Sequence, residues 1–247
     1  DIVINHKMGG DEEEEFKATP YNPDNRMEAI GDLQTIKAWT HFNFPGRGNT
    51  YSELQWHWWH FNAADVNSLA DDSGAVYLFE GKEFQTDVDT EKGNYDFLMG
   101  CDLDIANPDV QHELFYWGEW YLDATGVDGF RFDAVKHVKA GFFHDWLNHL
   151  RDYAGRDLFA VGEYWSGVDA ALDRFVERTN GNIMLFDTGL HYSFAEAGRK
   201  GKEYDLSTVF ERSLVKDKPD LAVTIVSNHD TQPLQSLESV VEAWFKP

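Results

Sequence analysis

Hydrophobic and polar positions divide the chain into three textures. Residues 1–6, DIVINH, are a short apolar strand that ends in Asn5 and His6. From residue 7 to about 100 the chain is polar and rich in turns, with short aromatic strands in TYSELQWHWWHF (50–61) and AVYLFEG (75–81). Within it the DEEEE run at 11–15 reads as a solvated loop. From about residue 105 helices and strands alternate. NPDVQHELFYWGEWYLDAT (107–125) predicts a helix with Asn107 as cap and Pro108 in its first turn. VDGFRFD (127–133) predicts a strand, AGFFHDWLNHLRDYAG (140–155) a helix ended by Gly155, and DLFAVGEYW (157–165) a strand. A helix over 168–181, strands over 182–188 and 221–230, and a final helix over 236–246 complete the pattern. Strands that alternate with helices predict a parallel sheet covered by helices, an α/β fold.

Composition narrows the ligand. The chain has 247 residues and a formal net charge of −23, which disfavours nucleic acid or an anionic membrane as partner. A neutral ligand, or a cation held by carboxylates, suits that charge. Cys101 is the single cysteine, so neither an intrachain disulfide nor a cysteine-based zinc pattern is available. No apolar run approaches the ~18 residues of a membrane span. The chain opens on an apolar strand without Met, which reads as a start inside a fold and leaves a leader undecided. Aromatic residues make up 15%, and the Trp–His run at 56–61 offers flat rings with polar edges that suit either packing or a sugar face.

The chemistry gathers at strand ends. In FRFDAVKH (130–137), Arg131 and Asp133 are two apart on a strand and share a face, so a guanidinium stands beside a carboxylate. Asp133, Glu163 and Asp230 each close a predicted strand, at intervals of about one and two βα units of ~30 residues. Carboxyl ends of parallel strands are where barrels and open sheets assemble their sites. Any one of these acids could be a helix cap. Three of them, with Asn5-His6 and Asn228-His229 at other strand ends, favour a site.

DIVINH (1–6), GFRFDAVKH (129–137), GEYW (162–165) and VSNHD (226–230) resemble the four ordered sequence regions of the α-amylase family of glycoside hydrolases. IKAWTHFNFPGRG, GNYDFLM and HDTQPLQSLESVVEAWFKP further resemble the bacterial liquefying α-amylases. The resemblance implies a (β/α)8 TIM barrel, here with strands 3 to 7, and a β-rich domain inserted after strand 3. It places 1–6 and 101–247 in the barrel and 7–100 in the insert. Strands 1, 2 and 8 then fall outside the chain, strands 3 and 7 are expected to be open edges, and the stretch by itself to be poorly folded and weakly active or inactive.

The resemblance also implies an endo-acting, retaining hydrolase of α-1,4-glucosidic bonds in starch, glycogen and maltooligosaccharides. Asp133 would be the nucleophile, Glu163 the general acid/base, and Asp230 the carboxylate that positions the sugar. Arg131 would orient Asp133; His6 and His229 would bond the bound glucose. Lys136 and His137 would line the leaving-group side, and Tyr95 and Trp165 would offer stacking surfaces. Asn5, Asp96, Asp102 and the backbone carbonyl of His137 match the family's calcium site. Asn62 and Gln85 stand where further acids would be, so an added calcium–sodium cluster is not expected. A secreted, monomeric enzyme is the implied whole. The alternatives are a transglycosylase, a maltooligosaccharide-forming relative, or a non-catalytic glucan-binding fragment.

Overall fold

A computed structural model of the protein describes residues 1–48, 50–70 and 74–241. In chain order the strands are β1 His6–Lys7, β2 Glu12–Asn22, β3 Asn25–Ala29, β4 Gln34–His41, β5 Phe61–Ala64, β6 Val76–Phe79 and β7 Cys101–Leu103. They are followed by β8 Gly129–Phe132, β9 Phe159–Gly162, β10 Met184–Phe186 and β11 Ala222–Val223. The α-helices are α1 Pro108–Thr125, α2 Ala140–Ala154, α3 Asp169–Arg178, α4 Thr188–Lys200 and α5 Leu214–Asp217. Two compact units result: Asp1 with Gly129–Ala134 and Leu158–Pro247, and Ile2–Asp128 with Val135–Asp157. No helix among the described residues is long and apolar enough to cross a membrane.

The second unit is built on an antiparallel sheet in the order β1-β7-β5-β6-β2-β3, with β4 paired to β2. Its longest strand corrects an expectation, because the acidic run is not a loop. Glu12–Glu15 open β2 and pair with β4 in the register Glu14↔Ala38 and Phe16↔Ile36. Alternation puts Glu14 on the same face as Phe16 and Ala18, which are buried. Its carboxylate is satisfied there by Thr40 Oγ1, His57 Nδ1 and the Trp58 N–H, each at 2.8 Å. Glu13 pairs with Lys37 at 2.8 Å and accepts from Ser68. A four-glutamate strand survives because partners distant in sequence neutralise it.

The aromatic stretch 50–61 is likewise not a strand over its length. Trp56 makes an isolated bridge to Phe42, Trp58–His60 form a 3-10 turn, and regular pairing begins only at Phe61. The rings take one another as partners: His57 stacks on His41 and on Trp59 at 4.3 Å, and Trp58 on Phe16 at 5.3 Å. Two helices complete this unit. Asn107 Oδ1 accepts the Asp109 N–H at 2.9 Å to start α1, and Gly126 in the left-handed region (φ 64°) ends it. α1 meets α2 where Gly118 admits the Trp146 ring, whose indole N–H donates to Leu114 O at 2.9 Å. A Cβ on Gly118 would stand 2.6 Å from Trp146 Cζ2. Gly118→Ala is therefore expected to lower stability by ~1–3 kcal/mol, overpacking outweighing the helix propensity gained. Urea unfolding checks this, and an unchanged midpoint would show that the helices separate freely.

The first unit carries the predicted parallel sheet, in the order β11-β10-β9-β8. The β8/β9 register is Phe130↔Ala160 through Phe132↔Gly162, and Leu185 of β10 pairs with Gly162 and with Ala222. Phe130, Phe132, Leu185 and the α3 side chains Leu172, Phe175 and Val176 are buried. Two expectations fail here. The last strand is not 221–230 but only Ala222–Val223, because Asn228 Oδ1 captures the N–H groups of Asp230 and Thr231 at 3.0 Å and turns the chain. The final helix is absent from 236–241, and 242–247 lie outside the described residues. Ser239 Oγ lies 2.9 Å from Leu237 O and Glu238 accepts from the Leu234 N–H, local contacts that compete with a helix.

Candidate active site

The four parallel strands aim their carboxyl ends one way, and two of the predicted acids follow directly. Asp133 comes one residue after β8 and Glu163 one after β9, so the register Phe132↔Gly162 sets them side by side. The Glu163 N–H still donates to Phe132 O, at 2.8 Å. Arg131 answers for the cation beside the first acid: its Nη1 donates to Asp133 Oδ1 at 2.6 Å and to Asp1 Oδ1 at 2.8 Å. Its Nη2 lies 3.9 Å from Glu163 Oε2.

Glu163 is the buried member, its side chain 10% exposed. Burial pushes its carboxyl above the ordinary range, and the negative charges of Asp133 and Asp230 add to that. The Ala134 N–H, donating to Glu163 Oε2 at 2.9 Å, and Arg131 pull the other way and lose. Ala134 holds that N–H in place from the left-handed region, φ 52°, a conformation an alanine rarely adopts. Nothing in the residue pattern announces this backbone donor, which sequence reasoning missed.

Asp230 lies in the Asn228–Thr231 turn rather than at a strand end, with His229 Nε2 3.1 Å from its Oδ2. Its charge is nonetheless felt by Glu163, so all three acids share one electrostatic neighbourhood. His229 is exposed. Trp165 lies inside: it is 5% exposed, donates its indole N–H to Tyr192 Oη at 2.8 Å and packs on His191.

The remaining predicted residues belong to the other unit. Lys136 pairs with Glu91 at 2.8 Å and lies over the Tyr95 ring at 4.8 Å. Tyr95 meets His137 edge-on at 4.2 Å. His137 Nδ1 donates to Tyr95 O at 2.6 Å; burial, with the Lys136 charge, pushes its imidazole down to about 3. His6 Nδ1 is 3.3 Å from Asn5 Oδ1.

Asn5, Asp96, Asp102 and the His137 carbonyl do converge. Asn5 Nδ2 lies 3.1 Å from Asp102 Oδ1, 3.2 Å from Asp96 O and 3.2 Å from His137 O. An amide nitrogen has two protons for those three acceptors. Both aspartates are fully buried, and Asp96 Oδ1 and Asp102 Oδ2 have no hydrogen-bond donor. Burial pushes Asp96 up to about 7; burial and the Asp96 charge push Asp102 well above the usual range. Two facing carboxylates, a carbonyl and an amide that can turn its oxygen inward form an oxygen donor set short of positive charge, which fits a hard cation such as Ca²⁺. Among the described residues no group of three or more His, Cys, Asp and Glu side chains could hold a metal; half of this set is amide and backbone oxygen. Asn62 Nδ2, at 3.4 Å, and the Gln85 N–H, at 2.7 Å, both donate to Asp96 Oδ2.

Comparison with known proteins gives this arrangement a family. The α-amylase catalytic-domain model matches residues 1–243. Over the whole chain the sequence is 47% identical to the α-amylase of Bacillus licheniformis, covering 48% of that protein. It is 48% identical to the α-amylase of Geobacillus stearothermophilus, covering 45% of it. It is 45% identical to the glucan 1,4-alpha-maltohexaosidase of Bacillus sp. (strain 707), covering 48% of it. The chain thus spans about half the length of the relatives it matches. Its parallel strands are part of a (β/α)8 barrel whose sequence is interrupted by a β-rich insert. The chain belongs to the α-amylase catalytic-domain family.

Proposed function

We propose that the protein is an endo-acting, retaining hydrolase of internal α-1,4-glucosidic bonds in starch, glycogen and maltooligosaccharides. The observation that carries this reading is the unequal treatment of two adjacent carboxyls: Asp133 hydrogen-bonded by Arg131, and Glu163 buried with a raised pKa. That is the division of labour between a nucleophile and a general acid. Neighbouring strands run about 4.8 Å apart, and retaining enzymes set their two carboxyls ~5–5.5 Å apart, closer than the ~6.5–9.5 Å of inverting enzymes. Acids one step beyond paired residues of adjacent strands suit the shorter distance.

In this mechanism Arg131 engages Asp133 Oδ1 and leaves Oδ2 to attack the anomeric carbon. The glycosidic oxygen takes the Glu163 proton as the bond to the leaving sugar breaks. Glu163, now ionised, then removes a proton from water as that water displaces Asp133 from the anomeric carbon. Asp230 stabilises the positive charge that develops on the ring, and exposed His229 beside it is available to sugar hydroxyls. Asn5, Asp96, Asp102 and the His137 carbonyl would hold Ca²⁺, which when bound offsets the buried charge and ties their four segments together.

Hydrolysis of soluble starch followed by proton NMR tests the reading. New reducing ends should appear first as the α anomer, with a mixture of chain lengths. Initial β anomers, or no hydrolysis, would overturn it. Early accumulation of maltohexaose would favour the maltooligosaccharide-forming reading, to which the similarity with a maltohexaosidase lends weight.

A further inference from the structure

α4 does more than cover the sheet. Its first turn touches the loop that follows Glu163: Thr188 Oγ1 donates to Ser166 O at 2.6 Å, and Tyr192 accepts from Trp165. On the same turn His191 is fully buried, with Nδ1 2.8 Å from Val226 O and Nε2 2.7 Å from Ser239 Oγ. Between Val226 and Ser239 lies the turn that carries Asp230. Inside that segment the Leu237 N–H donates to Asp230 O and the Ser239 N–H to Thr231 O, both at 3.1 Å. The helix is itself anchored, since Asp187 accepts the Leu190 and Val215 N–H groups at 2.9 Å.

Donor counting defines the ring. Val226 O can only accept, so Nδ1 carries a proton. In the neutral ring Nε2 is then bare and accepts the Ser239 hydroxyl proton. In the charged ring Nε2 donates, and the hydroxyl turns to Leu237 O at 2.9 Å. Both contacts survive in either state. The other groups packed on the ring are Trp165 and Tyr192, neither charged, and burial lowers the imidazole pKa. The contact is a standing clamp, not a pH switch.

We propose that His191 is a positioning residue, fastening both ends of the 226–239 segment to α4 and so setting where the Asp230 carboxylate stands. The consequence for rate rests on the hydrolase reading above; the clamp does not.

Three variants test it: His191→Leu keeps bulk and loses both bonds, His191→Gln can donate to Val226 O and accept from Ser239, and Ser239→Ala removes one partner. Hydrogen exchange of peptides spanning 226–239 should quicken about 10-fold or more in the Leu variant. It should stay near wild type in the Gln variant and fall between for Ser239→Ala. Kinetically, His191→Leu should lower kcat about 10–100-fold, and the Gln variant should retain most of it. The alkaline limb of the pH–rate profile should also move to lower pH in the Leu variant, because a displaced Asp230 no longer raises Glu163. General destabilisation would not move that limb.

Unchanged exchange in the Leu variant would overturn the clamp. Faster exchange with an unmoved limb would overturn its link to Asp230. A wild-type protein without hydrolysis would defeat the functional reading alone, and exchange would still decide the clamp. Should the Leu variant not fold, Ser239→Ala decides: wild-type exchange at Leu237 and Ser239 would overturn the proposal.

Discussion

Replacing Glu163 by Gln, or Asp133 by Asn, is expected to lower starch hydrolysis by about 10³-fold or more, since in the proposed mechanism each is a group that acts on the reacting bond. The two variants should differ in stability. A carboxyl whose pKa is raised in the folded state contributes stability that is complete below its unfolded pKa and is lost as pH rises through the folded value. Glu163 is such a group, and glutamine has no charge to bury. The melting temperature of Glu163→Gln should therefore exceed that of wild type by a margin that grows as pH rises from ~4.3. Asp133→Asn removes one of the charged partners of Arg131 and should show no such gain. Either variant keeping most of the activity would refute the assignment of roles. A pH-independent melting gap for Glu163→Gln would refute the burial argument.

Chelation should produce the second large effect. With Asp96 and Asp102 buried face to face, withdrawing a cation leaves repulsion uncompensated. A ligand at 100 times its Kd adds ~2.7 kcal/mol, and for a chain of this size 1 kcal/mol moves Tm by ~2–4 °C. EDTA should thus lower Tm by ~5–11 °C, and Ca²⁺ should restore it. Asp102→Asn makes the test sharper because it should reverse sign. In chelator it relieves the repulsion and melts above wild type; in Ca²⁺ it has lost a ligand and melts below. Curves that do not cross would count against the site.

The sequence was most legible where a residue acts on its own backbone. Asn107 and Pro108 start α1, Gly155 ends α2, and apolar runs stopping at Asp133 and Glu163 mark β8 and β9. It was least legible where the deciding partner is remote. Glu12–Glu15 look like a solvated loop until Lys37, Thr40 and His57 are brought to them from beyond the next turn. The Trp–His run looks like a strand until His41 and Phe16 supply surfaces to stack on. At the candidate site the adjacency of Asp133 and Glu163 could be anticipated, since each follows an apolar strand run. The Ala134 N–H could not, because it depends on a backbone angle and not on residue type. Nor could the interior position of Trp165, which depends on Tyr192 from α4.

Cys101 acquires a use from its place in β7. It is buried, its Sγ lies 3.4 Å from Trp39 O, and burial with the charges of Asp65 and Asp102 pushes the thiol up to about 12. In the native protein it is thus almost wholly protonated and shielded from electrophiles, whereas an unfolded cysteine ionises near ~8.5. Alkylation should be slow in the folded protein and quicken when β7 leaves the sheet. Because Asp102 is the next residue, the chain contains its own chemical clock for the opening of the strand that carries the proposed cation ligand, read from the labelling of a single atom.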